Sequence, residues 1–228
     1  MKSRALVSFL VSFAVMTAVF TGAGIWLAPK LWATPAAPLP DLTIDQARLQ
    51  SSVEIGVSNF KPHSCPIVNG CVHGVGSRKL LRFDVQIDNI GTADLDLGSP
   101  SDPSNAGLFV FDNCLGYYHL ADFCHFELLD HKGKSVVLGR KQAFCLEDYE
   151  PIASPAPPPK YNCYYQGIQP GWSDVYDSTL VCQWLDITGV PKGKYLLRVS
   201  INGNPQQSPK FTESNYANNS ATAQITIH

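Results

Sequence analysis

The chain has 228 residues, and its 17 basic and 19 acidic residues leave a formal net charge of −2. A hydrophobic content of 45% and a charged content of 16% exclude a disordered chain, and the length is sufficient to bury a sizeable core. Because the charge balance is not basic, a nucleic-acid partner bound through its phosphates is excluded.

Residues 1–36 are predicted to form an export segment. Lys2 and Arg4 precede an uncharged, mostly apolar run of 25 residues that ends at Lys30, and a cluster of alanines follows. This layout is typical of a secretory signal peptide, but the run is also long enough to span a bilayer of about 30 Å, so a membrane anchor is the alternative. Either way, we expect residues 37–228 to be secreted or held in the cell envelope, with membrane contact only through the N-terminal segment. Without that segment the chain has 14 basic and 19 acidic residues, a net charge of −5.

The hydrophobic pattern of the remaining chain predicts β-strands. Apolar and polar residues alternate over four segments: Val53–Val57, Leu81–Ile87, Tyr195–Ile201 and Ala223–Ile227. A period of two gives each strand one buried and one solvated face. A single helical turn is predicted over Asp45–Gln50, and no longer segment has a helical stripe. We therefore predict an all-β fold, a single antiparallel β-sandwich domain over residues 37–228 with long irregular loops.

Two segments lack this alternation of apolar and polar residues. Residues 151–160 contain five prolines, which cannot pair in a sheet interior, so they are predicted to form a stiff surface loop. Residues 105–185 carry five of the seven cysteines and most of the tyrosines. We expect any functional site in this second segment.

Seven cysteines in an exported chain predict about three disulfides and one cysteine left over. Cys65 and Cys71 enclose a short loop and are candidates for a local disulfide. His63 and His73 flank them, so a zinc site formed by these four residues is the alternative. The residues alone leave the pairing of the other five cysteines open.

Four strings in the second half of the chain together resemble the lysyl oxidase family of copper amine oxidases. They are CLGYYHLADFCHFELLD from Cys114, GRKQAFCLED from Gly139, GWSDVYDSTLVCQWLDITG from Gly171, and the segment from Tyr195 to Asn219, which ends in ESNYANN. Their order and spacing agree with the family, and the resemblance covers roughly residues 40–228.

The resemblance implies an exported enzyme with one copper ion, bound by three histidines, and a lysine tyrosylquinone cofactor made from its own side chains. Such an enzyme oxidatively deaminates peptidyl lysine of extracellular or envelope proteins, or small primary amines, to aldehydes with O2. Lys141 and Tyr176 match the two cofactor precursors and are the implied catalytic and cofactor residues. His125 matches a family histidine outside the ligand set and is the implied proton-transfer residue.

The copper motif departs from the family pattern. The family has His-x-His-x-His after the first cysteine of the first string, whereas Leu115 and Tyr117 stand at two of these positions here and only His119 remains. His119 and Tyr117 are therefore the remaining candidate metal ligands. Cys124 and His125 could complete an altered site with them, or could simply pack in the core.

The cysteines depart from the family pattern as well. The resemblance implies two disulfides, Cys65–Cys71 and Cys114–Cys163. Cys145 and Cys182 each lack their family partner, and we hypothesise that they pair with each other and leave Cys124 free. Together with the incomplete copper motif, these changes favour two hypotheses about function. The first is an amine oxidase with an unusual metal shell, and the second is a non-catalytic lysyl-oxidase-like module for extracellular binding or adhesion.

Overall fold

The structure, a computed structural model, describes residues 37–139, 144–203 and 208–228. The predicted export segment and Lys141 lie outside the described residues. Within the described ranges, no helix is long and apolar enough to cross a membrane.

Helices are short and few in the described chain. The predicted helical turn is confirmed as α1 (Gln46–Ser51), whose first turn is capped by Asp45, since its carboxylate accepts a 2.8 Å hydrogen bond from the Arg48 N–H. Helix α2 (Cys65–Val68) and a 3₁₀ turn (Pro103–Asn105) are shorter still.

Strands make up most of the described chain. In chain order they are β1 (Leu42–Ile44), β2 (Glu54–Phe60), β3 (Gly76–Arg82), β4 (Val85–Asn89), β5 (Leu95–Gly98), β6 (Phe109–Asp112), β7 (Tyr117–Leu120), β8 (Cys124–Leu129), β9 (Ser135–Leu138), β10 (Glu150–Pro151), β11 (Gln166–Ile168), β12 (Trp172–Tyr176), β13 (Trp184–Asp186), β14 (Gly193–Ile201) and β15 (Ser220–Ile227).

Two four-stranded sheets provide most of the core. One has the order β1-β4-β12-β10 and the other β15-β14-β8-β9, while β13-β3-β2 forms a three-stranded sheet and β11-β5 and β6-β7 form two-stranded ribbons. Every ladder between these strands is antiparallel. Side chains from both four-stranded sheets share one apolar core, and Phe83 meets Phe126 edge to face at 4.8 Å between ring centroids. The predicted all-β fold is confirmed.

The alternation over Leu81–Ile87, predicted as one strand, is divided between β3 and β4, which belong to different sheets. Between β3 and β4, at Phe83 and Asp84, the backbone forms hydrogen bonds with side chains instead of with a neighbouring strand. The Phe83 carbonyl accepts a hydrogen bond from Gln183 Nε2, and the Asp84 N–H donates to Ser52 Oγ. Periodicity alone does not reveal this change of partner.

The proline-rich segment is an exposed loop from residue 152 onward, as predicted, whereas Pro151 ends the short edge strand β10. An edge strand tolerates proline because the missing N–H faces away from the ladder. The loop is fastened by Trp172 Nε1, which donates to the Pro157 carbonyl at 2.9 Å, and by Gln169 Nε2, which donates to the Pro158 carbonyl at 2.8 Å.

Three disulfides join described residues, and the predicted pairs are wrong. The bonds are Cys65–Cys114, Cys71–Cys182 and Cys145–Cys163, while Cys124 is free and buried. The implied pairs Cys65–Cys71 and Cys114–Cys163 and the hypothesised pair Cys145–Cys182 are therefore not formed, although Cys124 is left unpaired as hypothesised. Because α2 starts at Cys65 and the chain turns before Cys71, the two side chains reach different neighbours, the turn before β7 and the core beneath Trp184. With both cysteines oxidised, the zinc alternative at Cys65 and Cys71 is also wrong.

Candidate functional site around Tyr176

Tyr176 ends β12, an inner strand whose five residues are all buried. Side chains alternate along a strand, so Asp174 and Tyr176 lie on the same face. Asp174 is 3% exposed and Tyr176 is 1% exposed. Burial raises the pKa of the Asp174 carboxyl well above its usual range, and burial together with the nearby Asp174 carboxylate raises the pKa of the Tyr176 phenol. Tyr176 is therefore a neutral phenol at physiological pH.

Cys124 adds a buried thiol to this group. It faces the core from β8, and its pKa is raised by burial and then by the charge of Asp174. A thiol held in its protonated form is a poor nucleophile and a poor metal ligand. Burial therefore favours the protonated form of each of Cys124, Asp174 and Tyr176.

His125 is the neighbour of Cys124 in β8, and strand alternation directs the two side chains to opposite faces. Cys124, rather than the predicted proton-transfer residue His125, faces the core that contains Tyr176. The Nε2 atom of His125 is buried and forms no hydrogen bond with the described residues. Because the two side chains point to opposite faces of β8, the structure does not bring Cys124 and His125 together as ligands of an altered metal site.

A chain of aromatic rings covers Tyr176. The centroid of the Phe144 ring lies 5.4 Å from that of the Tyr176 ring. The Tyr117 ring stacks on Phe144, with 5.8 Å between the ring centroids and an interplanar angle of 26°. Burial raises the pKa of the Tyr117 phenol to about 12. In the absence of a bound cation, burial therefore favours the neutral phenol at this position.

The three positions that carry copper ligands in the resembled motif do not lie on one strand. β7 begins only at Tyr117, and Gly116 has a φ of 77°, in the left-handed region that suits glycine. Leu115 lies in the preceding turn, where its N–H and that of Cys114 donate to Asp112 Oδ1 at 2.9 and 2.8 Å. Leu115 also has no donor atom, so this position contributes nothing to a metal site.

His119 lies on the same face of β7 as Tyr117, but its imidazole contacts the backbone of the next residue, Leu120. Its Nδ1 lies 3.3 Å from the Leu120 carbonyl oxygen, and burial lowers the pKa of its imidazole. Among the described residues, one group of three potential ligands lies close enough to share an ion, namely Cys145, Glu147 and Cys163. Its two cysteines are bonded to each other, so their sulfurs are not thiolates. The described residues therefore do not fit the three-nitrogen copper site that the family resemblance implies.

Lys141, the implied second cofactor precursor, lies outside the described residues. Phe144 follows it by three positions and packs on Tyr176. The sequence prediction missed both Phe144 and Asp174. The string WSDVY carried a signal for Asp174, because an acidic residue two positions before a tyrosine on an apolar strand shares its face.

Other residues of the resembled strings stabilise the fold. Asp148 accepts hydrogen bonds from the backbone N–H groups of Lys160, Tyr161 and Gln169, and so joins the segment after Phe144 to the end of the proline-rich loop. Asp186 accepts from the backbone of Thr188 at 3.0 Å.

The last string has the same role. Glu213 is 3% exposed and accepts hydrogen bonds from the Leu42 N–H at 2.7 Å, from Asn219 Nδ2 at 2.6 Å and from Asn202 Nδ2. These bonds fasten the start of the domain to the segment before β15. Asp148, Asp186 and Glu213 of the resembled strings therefore stabilise the fold.

Comparison with known proteins agrees with the resemblance. A family model described as lysyl oxidase matches residues 40–228. The chain is 41% identical over 148 residues to lysyl oxidase homolog 2 of Gallus gallus, which covers 63% of this chain and 18% of that protein. It is 34% identical over 199 residues to protein-lysine 6-oxidase of Gallus gallus, covering 79% of this chain and 44% of that protein, and 34% identical over 196 residues to lysyl oxidase homolog 1 of Homo sapiens, covering 79% and 32%.

The chain spans less than half the length of each of these relatives. Because the family model covers nearly the whole of the described chain, the chain belongs to the lysyl oxidase family.

Proposed function

We propose that this chain is a non-catalytic lysyl-oxidase-like module that acts outside the cytosol by binding. One observation carries the proposal. The position of the copper motif is occupied by a turn containing Leu115 and by the stack of Tyr117 on Phe144 over Tyr176. A buried aromatic stack and an aliphatic side chain offer no substitute for imidazole nitrogen donors.

The consequence for the cofactor is chemical. By the family resemblance, a bound copper ion would promote oxidation of the tyrosine by O2 to a quinone, and the quinone would be the electron sink for amine oxidation. The residues around Tyr176 keep a neutral phenol, a protonated thiol and a buried carboxyl away from water. None of these three groups is an oxidant for the tyrosine ring.

Export and partners belong to the same proposal. The N-terminal segment supports export to the extracellular space or cell envelope, by cleavage or with the segment retained as an anchor. The acidic balance of residues 37–228 favours cationic partners, such as lysine-bearing extracellular or envelope proteins and small primary amines, and disfavours nucleic acid.

The test uses the exported protein produced in copper-supplemented medium. We expect no stoichiometric copper by elemental analysis and no hydrogen peroxide when a primary amine is added, with identical results for the wild type and for Tyr176→Phe. One copper per chain, together with amine-dependent peroxide that Tyr176→Phe abolishes, would overturn the proposal.

A second candidate is an amine oxidase with an unusual metal shell, acting on peptidyl lysine or small primary amines. It is favoured by the retention of Tyr176 and by the contact of Phe144, three residues after Lys141, with the Tyr176 ring. Its test is covalent labelling with a hydrazine, which reacts with quinones. Labelling lost in Tyr176→Phe but kept in Tyr149→Phe, a change at a tyrosine that is 59% exposed, would establish this candidate. Absence of labelling in all three proteins would eliminate it.

A further inference from the structure

The outer strand of a sheet carries unpaired backbone N–H and C=O groups, which can pair with a strand from another chain. Strand β15 is closed to such pairing by side chains of α1. The Thr222 N–H donates to Gln46 Oε1 at 3.0 Å, and the Gln46 amide donates back to the Thr222 carbonyl. Gln50 forms the same two hydrogen bonds with Gln224, at 2.9 and 3.5 Å. The two glutamine amides therefore occupy the place of a neighbouring strand.

Other outer strands of the described sheets are short or blocked. The Leu42 N–H of β1 donates to Glu213, and β10 consists of two residues, the second of them Pro151. β13 has three residues, and β9 has four and an irregular register with β8. Each of these features limits pairing with a further strand.

Strand β2 differs from these outer strands. It pairs with β3 over seven residues, from Glu54 to Phe60, in a continuous register, and it lies at the edge of its sheet. Between described residues, no hydrogen bond reaches the backbone of β2 from any element other than β3. Its sequence, EIGVSNF, contains neither lysine nor proline, and Val57 at its centre is 69% exposed. β2 is therefore a long open edge without the residues that usually prevent pairing.

Two charged residues stand at the ends of β2. Glu54 is its first residue and Lys61 follows its last, and neither forms a salt bridge with a described residue. Arg82 lies opposite Glu54 in the ladder, but its guanidinium lies 4.4 Å from the centre of the Trp184 ring. If two copies of β2 pair antiparallel, Glu54 of each comes beside Lys61 of the other, whereas parallel pairing brings like charges together. The charges therefore favour an antiparallel pair of two copies.

We propose that β2 is a dimerisation strand, which pairs antiparallel with β2 of a second copy of this chain. Overlap of the whole strand places the two-fold axis at Val57, so that this side chain meets its own copy and Glu54 lies opposite Phe60 of the second copy. The sheet β13-β3-β2 then continues across the axis as one antiparallel sheet of twice the size. Such a contact uses the same surface on both copies, so it closes at the dimer. The pairing does not depend on the state of Tyr176 and goes beyond the proposed function.

The first experiment measures the association of the full exported protein. A ladder of seven residues is about 24 Å long and makes a small interface, so we expect reversible dimerisation with a Kd between about 1 and 100 μM. Sedimentation equilibrium from about 1 to 300 μM protein measures this constant. Hydrogen exchange at both ends of the concentration range locates the contact, because the outward N–H groups of β2 should exchange more slowly in the dimer.

A substitution at the axis tests the strand itself. Val57→Lys places two like charges opposite each other in the pair and should weaken the dimer at least about tenfold. The matched control is Val110→Lys, at a valine of β6 that is 46% exposed, and it should leave the Kd unchanged.

A charge exchange tests the register. Glu54→Lys gives each copy a lysine at both ends of β2, and Lys61→Glu gives each copy a glutamate at both ends. Each variant alone should therefore dimerise at least about tenfold more weakly than the wild type. An equimolar mixture of the two should recover the dimer, because every lysine then lies beside a glutamate. Mixing does not reverse a merely structural effect of either substitution.

Three results would each overturn the proposal. They are a wild type that stays monomeric up to about 300 μM, a Val57→Lys variant that dimerises as tightly as the wild type, and a mixture that associates no more tightly than its components. If a substituted protein does not fold, hydrogen exchange of the wild type decides, and β2 amides whose exchange does not slow with concentration contradict the proposal as well.

Discussion

Removal of the Cys71–Cys182 disulfide is predicted to destabilise the domain more than removal of either of the other two. The bond closes a separation of 111 residues, against 49 for Cys65–Cys114 and 18 for Cys145–Cys163. The chain-entropy relation converts these separations into about 5, about 4 and about 3 kcal/mol at 25 °C. Because a domain of this kind has a total stability of about 5 to 15 kcal/mol, the loss of the longest bond leaves it marginal.

The assay is urea unfolding of two double variants, Cys71→Ala/Cys182→Ala and Cys145→Ala/Cys163→Ala, each compared with the wild type. Alanine avoids leaving a buried thiol, and Trp184 fluorescence reports locally because its Nε1 donates to the Cys71 carbonyl at 3.1 Å. We expect losses of about 5 and about 3 kcal/mol, in that order. A loss below about 2 kcal/mol for the first variant, or a reversed order, would refute the reasoning.

The pairing itself has a direct control in a single variant. Cys71→Ala should release one new thiol, at Cys182, in addition to that of Cys124. Alkylation followed by peptide mapping locates it. A new thiol at Cys65 instead would show that the local pair exists and that the pairing in the structure is incorrect.

Three further substitutions probe the Tyr176 region and the hydrogen bonds of Glu213 that join the start of the domain to the segment before β15. The raised pKa of Asp174 means that the folded protein holds this proton more tightly than the unfolded chain, so its contribution to stability is lost as pH rises above the unfolded value of about 3.9. Asp174→Asn should therefore become more stable relative to the wild type between about pH 5 and 8, and parallel urea midpoints at the two pH values would contradict this. Phe144→Ala should cost about 2 to 4 kcal/mol and increase nitration of Tyr176 by tetranitromethane, whereas an unchanged nitration yield would show that Phe144 does not shield the ring. Glu213→Gln replaces one of the two acceptor oxygens with an NH2 group, which then faces either the Leu42 N–H or the two asparagine amides, and it should lower the unfolding free energy by about 2 kcal/mol. A change within about 0.5 kcal/mol would argue against a stabilising role of these hydrogen bonds.

The strand pattern was largely readable from the sequence because alternation directly reflects burial. Tyr195–Ile201 and Ala223–Ile227 lie within β14 and β15, and Asp45 caps the predicted turn. The division of Leu81–Ile87 was not readable, because it depends on Gln183, a residue 100 positions from the carbonyl it binds.

Disulfide pairing and the site required three-dimensional information. Cys65 and Cys71 are close in sequence, but a helical turn directs them to different parts of the molecule. Leu115 was correctly identified as lacking a ligand atom, yet its place in a turn rather than on β7 follows from the hydrogen bonds of Asp112. The sequence did not predict the surface cleft lined by Phe111, Tyr118 and Tyr164, because these residues come from two separate segments that only the fold brings together.

The state of Tyr176 in the exported, copper-supplied protein decides between a non-catalytic module and an amine oxidase. Trypsin cleaves after Lys141 only when its amine is free, so peptide mapping by mass spectrometry distinguishes an unmodified pair from a covalent quinone link. For a non-catalytic module we expect cleavage after Lys141 and a separate, unmodified peptide that contains Tyr176. A single cross-linked species joining the two residues, with the mass of the oxidised pair, would contradict the claim that this lysyl oxidase family member is non-catalytic.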